Sequence, residues 1–237
     1  PVRSRLNYLF LQLDKLGRLL DPFIPQRIRK RAVIKAEEWF VERLNGTDGL
    51  GAIFPAMVNG HEALDCLGYP PEHPYRMNTK QALKNLVVIN EDSAYCQPCV
   101  SPVWDTGLSC LALQEEGSGV AMECVLHALD WLKERQLMDE PGDWRVNHPG
   151  LRGGGWPFQF VNSYYPDLDD TAVVAWAMHL TQLNRYRESI QRAAQWIRGM
   201  QSKNGGYAAF DSDNMCYYLN EIPFADHGAL LDPPTSD

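Results

Sequence analysis

Apolar residues recur at helical spacing through long stretches of this chain, and no stretch shows the alternation of a half-buried strand. The runs at 120–127 and 171–180 carry that spacing and predict helices. A pattern of Ala-x-x-(Trp or Asn)-apolar recurs four times, at 36–40, 82–86, 128–132 and 193–197. Trp39, Asn85 and Trp131 stand about 46 residues apart, in the range of helical-pair repeats, whereas the step on to Trp196 is longer by about 19. Glycine-rich turns follow the repeats at 45–51, 141–144 and 204–207, where glycine permits the backbone that stops a helix and turns the chain. The expected fold is all-α: helical hairpins in series, closed into an α/α barrel or toroid.

The first segment has a different character. Leu6, Tyr8, Leu9, Phe10, Leu11, Leu13, Leu16, Leu19 and Leu20 are interleaved with Arg3, Arg5, Lys15 and Arg18, and Pro22 and Pro25 precede a basic cluster at Arg27, Arg29, Lys30 and Arg31. A leucine-rich helix too short to span a bilayer, flanked by basic residues, suits the membrane interface. An ordinary amphipathic helix packed on the domain shares that periodicity.

The extra length in the last repeat falls between Trp144 and Asp170, as expected where one repeat's loop has been elaborated into a site. It ends on Pro166-Asp167-Leu168-Asp169-Asp170-Thr171-Ala172, after an approach containing Phe158, Phe160, Tyr164 and Tyr165. Crowded carboxylates disfavour one another's charge, so at least one is expected to stay protonated where a lone Asp, with a pKa of about 4, would ionise. A neutral acid in an apolar pocket is a proton donor. The same acids also suit a plain helix start, because Asp is a preferred N-cap and complements the helix dipole.

Composition narrows the function classes. The chain has 237 residues, 45% apolar and 22% charged, which is the balance of a folded protein of one large or two small domains. Its net charge of -8 argues against nucleic acid as a partner. The six cysteines are scattered, which fits a reducing environment, and Cys96-Gln97-Pro98-Cys99 lacks the second pair that zinc would need. No apolar run is long enough to cross a bilayer.

Several of these stretches resemble one family. Gln136 to Trp144 after the helix at 128–132, and more loosely Gln201 to Tyr207, resemble the QW repeat of triterpene cyclases; the acid segment is similar to the DxDDTA motif of bacterial squalene-hopene cyclases. The stretches at 101–107, 155–160 and 232–234 look like that family too, and together they cover almost the whole chain but only about the middle third of a complete cyclase. The resemblance implies parts of two α/α barrel domains: a membrane-facing one over 1–99, with an interfacial helix at 3–25, and a catalytic one over 100–237. It implies cofactor-free cyclisation of squalene to hopene or hopanol, and a peripheral protein on the cytoplasmic side of the bacterial membrane that meets the bilayer through 3–31. The oligomeric state is open, a homodimer included.

By the same resemblance Asp169 matches the proton donor, Asp167 and Asp170 the flanking carboxylates, and Trp104, Phe158 and Phe210 aromatics of the substrate cavity, with no metal. A basic partner of Asp167 is expected past Asp237, and Tyr207 stands where the repeat usually has Trp. The chemistry is coherent: the donor must be neutral before transfer, and aromatic faces stabilise a carbocation by cation–π attraction of about 2 kcal/mol or more without bonding to it. An α/α-toroid glycoside hydrolase would instead need two carboxyls held about 5 to 9.5 Å apart across a sugar. A non-catalytic helical scaffold would use the acids only as a cap.

Overall fold

The structure, a computed structural model, describes residues 5–225 and 232–235. Eight α-helices carry it: α1 (Arg5–Leu20), α2 (Gln26–Glu42), α3 (Phe54–Cys66), α4 (Pro74–Asn85), α5 (Pro102–Glu116), α6 (Gly119–Lys133), α7 (Leu168–Leu180) and α8 (Arg187–Gly199). Each repeat of the Ala-x-x-(Trp or Asn) pattern falls on or at the end of a helix, in α2, α4, α6 and α8. Consecutive helices pair as hairpins, α3 with α4, α5 with α6 and α7 with α8.

The all-α expectation holds, with one addition. Two short antiparallel ribbons are present, β1 (Val87–Ile89) with β2 (Ala94–Cys96), and β3 (Trp156–Pro157) with β4 (Pro166–Asp167). Segments of two or three residues are too brief to display a period of two, so nothing in the sequence pattern marks them.

The chain divides into two compact units. The larger, residues 40–201, holds α3 to α8 and both ribbons. Its main core includes Val103, Val125, Leu129, Leu132, Val174 and Met178, all essentially excluded from solvent. Ser189, Arg192, Ala193 and Trp196 form the buried stripe of α8 at helical spacing. A second cluster, Met57, Ala82 and Leu86, lies between α3 and α4. Glycines allow two close approaches. Gly49, at φ +82, sits where a Cβ would come within 2.6 Å of Met57, and a Cβ on Gly153 would lie 1.7 Å from the Met138 carbonyl oxygen.

The smaller unit comprises residues 1–39 and 202–237. Here α1 covers residues 5 to 20 of the expected 3–25 helix, and Arg3 lies outside the described residues. Leu6, Leu9, Leu13, Leu16 and Leu20 form one helical stripe, and each is 43 to 52% exposed. Asn7 is the buried residue of α1 and donates its side-chain amide to the Glu221 carbonyl. Arg27, Arg29, Lys30 and Arg31 all stand on α2. Among the described residues no helix is long and apolar enough to cross a membrane.

Candidate active site

The acid segment sits where the β3–β4 ribbon runs into α7, with Trp156 paired to Asp167. Asp167 has extended backbone and is the N-cap of α7: its Oδ1 accepts the amides of Asp169 at 2.8 Å and Asp170 at 3.3 Å. Thr171 clamps the same turn from the other side, its hydroxyl donating to the Asp167 carbonyl and accepting from the Trp156 amide at 2.9 Å. Trp156 is wholly buried and donates its indole N–H to the Leu132 carbonyl. Gln136, also buried, donates to the carbonyls of Gly154 at 2.8 Å and Ser189 at 2.9 Å. These bonds tie the turn after α6, the approach to β3 and the start of α8 into one framework behind the acids.

Cap geometry then sorts the three carboxylates. With Asp167 as N-cap, Asp170 is the third helical residue and points inward; it is 1% exposed, and neither carboxyl oxygen has a hydrogen-bond partner. Burial first, then the charges of Asp167 and Asp169 and more weakly Asp105, push its pKa up to about 8. At neutral pH Asp170 holds its proton. Asp169, one position earlier on the helix, is exposed on a face it shares with Ala172, Trp176 and Leu180. The enclosed setting expected for Asp169 is therefore not built by the described residues, because the roughly 100° step between neighbouring helix positions turns it away from the core that receives Asp170.

Trp104 stands half-buried in the first turn of α5, and Phe158 is half-buried just after β3. Helices α5 and α7 pack side by side: a Cβ at Gly107 would meet Val173 at 3.0 Å, and further along Gln114 donates to the Ala177 carbonyl at 3.2 Å. Their first turns thus lie at the same end, which is why Asp105 reaches Asp170 electrostatically. Phe210 belongs to the smaller unit and is 38% exposed. There Asp232 accepts the three successive amides of Ala209, Phe210 and Asp211, at 2.7, 2.8 and 3.1 Å. Residues 236 and 237, next to the expected basic partner of Asp167, lie outside the described residues.

Sequence reading missed two contributors. Asp105, which accepts from the Ser101 hydroxyl at 2.9 Å, is a fourth carboxylate near the cluster. Arg43 forms a two-pronged ion pair with Asp143. Both depend on contacts between residues 60 or more positions apart, for which one sequence carries no local signal. Cys96 and Cys99 are free thiols. Among the described residues no group of three or more His, Cys, Asp or Glu side chains could hold a metal ion.

Serial helical hairpins with an acid cluster built into one helix start define the class: a repeat protein of the α/α type whose candidate site is a row of carboxyls. The comparisons with known proteins narrow this. The model of the squalene-hopene cyclase C-terminal domain matches residues 100–237, and that of the N-terminal domain matches residues 2–92. The chain belongs to the squalene-hopene cyclase family. Over 233 residues it is 51% identical to the squalene–hopene cyclase of Bradyrhizobium diazoefficiens, covering 97% of this chain and 35% of that protein. It is 48% identical to the enzyme of that name from Zymomonas mobilis, covering 96% and 36%, and 41% identical to that of Alicyclobacillus acidocaldarius, covering 98% and 37%. The chain spans about a third of the length of these curated relatives.

Proposed function

We propose that this chain carries the acid site of a class II triterpene cyclase, which protonates squalene and cyclises it to hopene or hopanol without a cofactor. The observation that carries the reading is the split among the acids: one caps the helix, one is buried and neutral, and one faces outward at the positive end of the helix. Asp169 is the donor in this reading. Asp167 holds the turn, and the α7 dipole stabilises the carboxylate that Asp169 becomes after transfer; keeping Asp169 neutral beforehand falls to cover from additional chain, because its charge is itself one cause of the raised Asp170 pKa. Trp104, Phe158 and Phe210 are proposed to line the cavity and stabilise carbocations by their ring faces.

The exposure of Asp169 fits this reading once length is considered. The relatives are almost three times as long, and the apolar residues sharing its face, Ala172, Trp176 and Leu180, are surface for the additional chain to cover. The domain division at 99/100, as parts of two α/α barrels, is proposed on the same basis. The exposed leucine stripe of α1 and the basic cluster on α2 support peripheral attachment through 3–31 to the cytoplasmic side of a bacterial membrane, where a hydrocarbon substrate dissolves. A homodimer is compatible with this attachment.

The test uses the complete protein incubated with squalene in detergent micelles, with products followed by gas chromatography. Asp169→Asn is expected to abolish cyclised product, a loss of at least about 100-fold, with the fold intact. Retained turnover would refute the donor assignment. Hydrolysis of oligosaccharides without squalene turnover would favour the hydrolase instead.

A further inference from the structure

Behind the acid cluster, within the larger unit, lies an ionic brace that the chemistry above does not use. Arg43, in the turn after α2, is 8% exposed and grips Asp143 with two prongs, Nε to Oδ2 at 3.1 Å and Nη2 to Oδ1 at 2.5 Å. The Tyr165 hydroxyl donates to the same Oδ2 at 2.5 Å. The Asp143 amide donates to the Tyr164 carbonyl at 3.2 Å, and the Arg43 guanidinium lies 4.7 Å from the centre of the Tyr164 ring. Although burial opposes its charge, hydrogen bonds from Arg43 and Tyr165 hold the Asp143 carboxyl below its ordinary range. Burial and the bond to Asp143 together push the Tyr165 hydroxyl up to about 12. The ion pair therefore stays charged and the phenol stays a donor throughout the physiological range.

Two further links run between the same pair of segments. Asn45 donates to the Asn162 side-chain oxygen at 3.2 Å, and Asn162 in turn donates to Gln159 at 3.2 Å. Asp48 accepts the Val161 amide. The turn at 43–48 thus holds the loop at 159–165 at three points, and that loop delivers Pro166 and Asp167 to the helix start. Arg43 lies in the part matched by the N-terminal domain model, whereas the loop and acids lie in the part matched by the C-terminal one.

We propose that Arg43, Asp143 and Tyr165 are positioning residues: the brace anchored at Arg43 sets where the β3–β4 loop ends, and so sets the aim of Asp169 relative to the substrate. None of the three needs to touch substrate. The proposal rests on the cyclase reading for its functional consequence but not for its structural one. Reactions that depend on a near-attack arrangement lose about 100-fold for a misplacement of about 1 Å, so a loosened brace should appear in turnover before binding.

The test measures complete protein carrying Arg43→Gln, Tyr165→Phe, both together, and Arg43→Lys. Two readouts are taken, kcat and KM with squalene, and hydrogen exchange at the Asp169 and Asp170 amides without substrate. Each single variant is expected to lower kcat about tenfold with KM within about twofold, to speed exchange at both amides, and to keep its folded fraction. The double variant should be little worse than the weaker single one, because both cut the same brace. Arg43→Lys should recover part of the loss, since it keeps the charge without the fork. Unchanged kcat and exchange, multiplying losses in the double variant, or losses that track only the folded fraction would each overturn the proposal. If the unaltered protein yields no cyclised product, the cyclase reading fails, and amide exchange alone decides the brace.

Discussion

Helices α1 and α6 are both leucine-bearing and of similar length, yet they use their apolar residues in opposite ways. In α6, Val125, Leu129 and Leu132 are fully buried and pack among neighbours from α5, α7 and α8. In α1, the stripe from Leu6 to Leu20 stays about half exposed, and a polar residue, Asn7, is the one buried. Periodicity alone therefore does not say what an apolar stripe is for. A stripe that meets a partner within its own unit makes a core, and one left open is surface, which the proposed membrane attachment would use.

That contrast breaks most visibly in the core. Leu129→Ala should cost about 2 to 5 kcal/mol, read by urea unfolding, because the void opens among residues already at full packing. A next, smaller effect should come from Asp170→Asn, and with the opposite sign. An acid whose folded pKa lies near 8 instead of near 4 makes the native state progressively less stable as pH rises between those values, at about 1.4 kcal/mol per pH unit before any relaxation. The amide has no charge to bury, so the variant should be more stable at pH 7, by on the order of 2 kcal/mol, and the gain should vanish below about pH 4. A stability difference independent of pH would show that Asp170 is not held neutral by burial. The smallest effect on unfolding is expected from Leu16→Ser, within about 0.5 kcal/mol, since half of that side chain already meets solvent. The same substitution should weaken flotation of the complete protein with anionic liposomes. Unaltered flotation would count against the open stripe as the membrane surface.

Much of the fold was legible beforehand because helices advertise themselves locally. The repeats at 36–40, 82–86, 128–132 and 193–197 all fall on helices or their ends, the glycine turns at 45–51 and 141–144 fall between helices, and the one at 204–207 follows α8. The acid segment was legible as well, both as a cap and as a cluster. Asp167 does the capping and Asp170 carries the raised pKa. Not legible were the β3–β4 ribbon, too short to show alternation, and the partners Asp105, Arg43 and Asp143, whose distance in sequence from the acids leaves no periodic trace.

The amino-acid sequence by itself determined the helical repeat architecture, the bunching of three carboxyls at one helix start and the family, since each rests on residue types at short, regular spacings. Only the tertiary structure decided which acid is buried and which faces outward, and which arginine braces the loop before them. Those outcomes depend on burial and on charges brought together across the fold, and burial is a property of what packs against a side chain, not of the side chain's place in the chain.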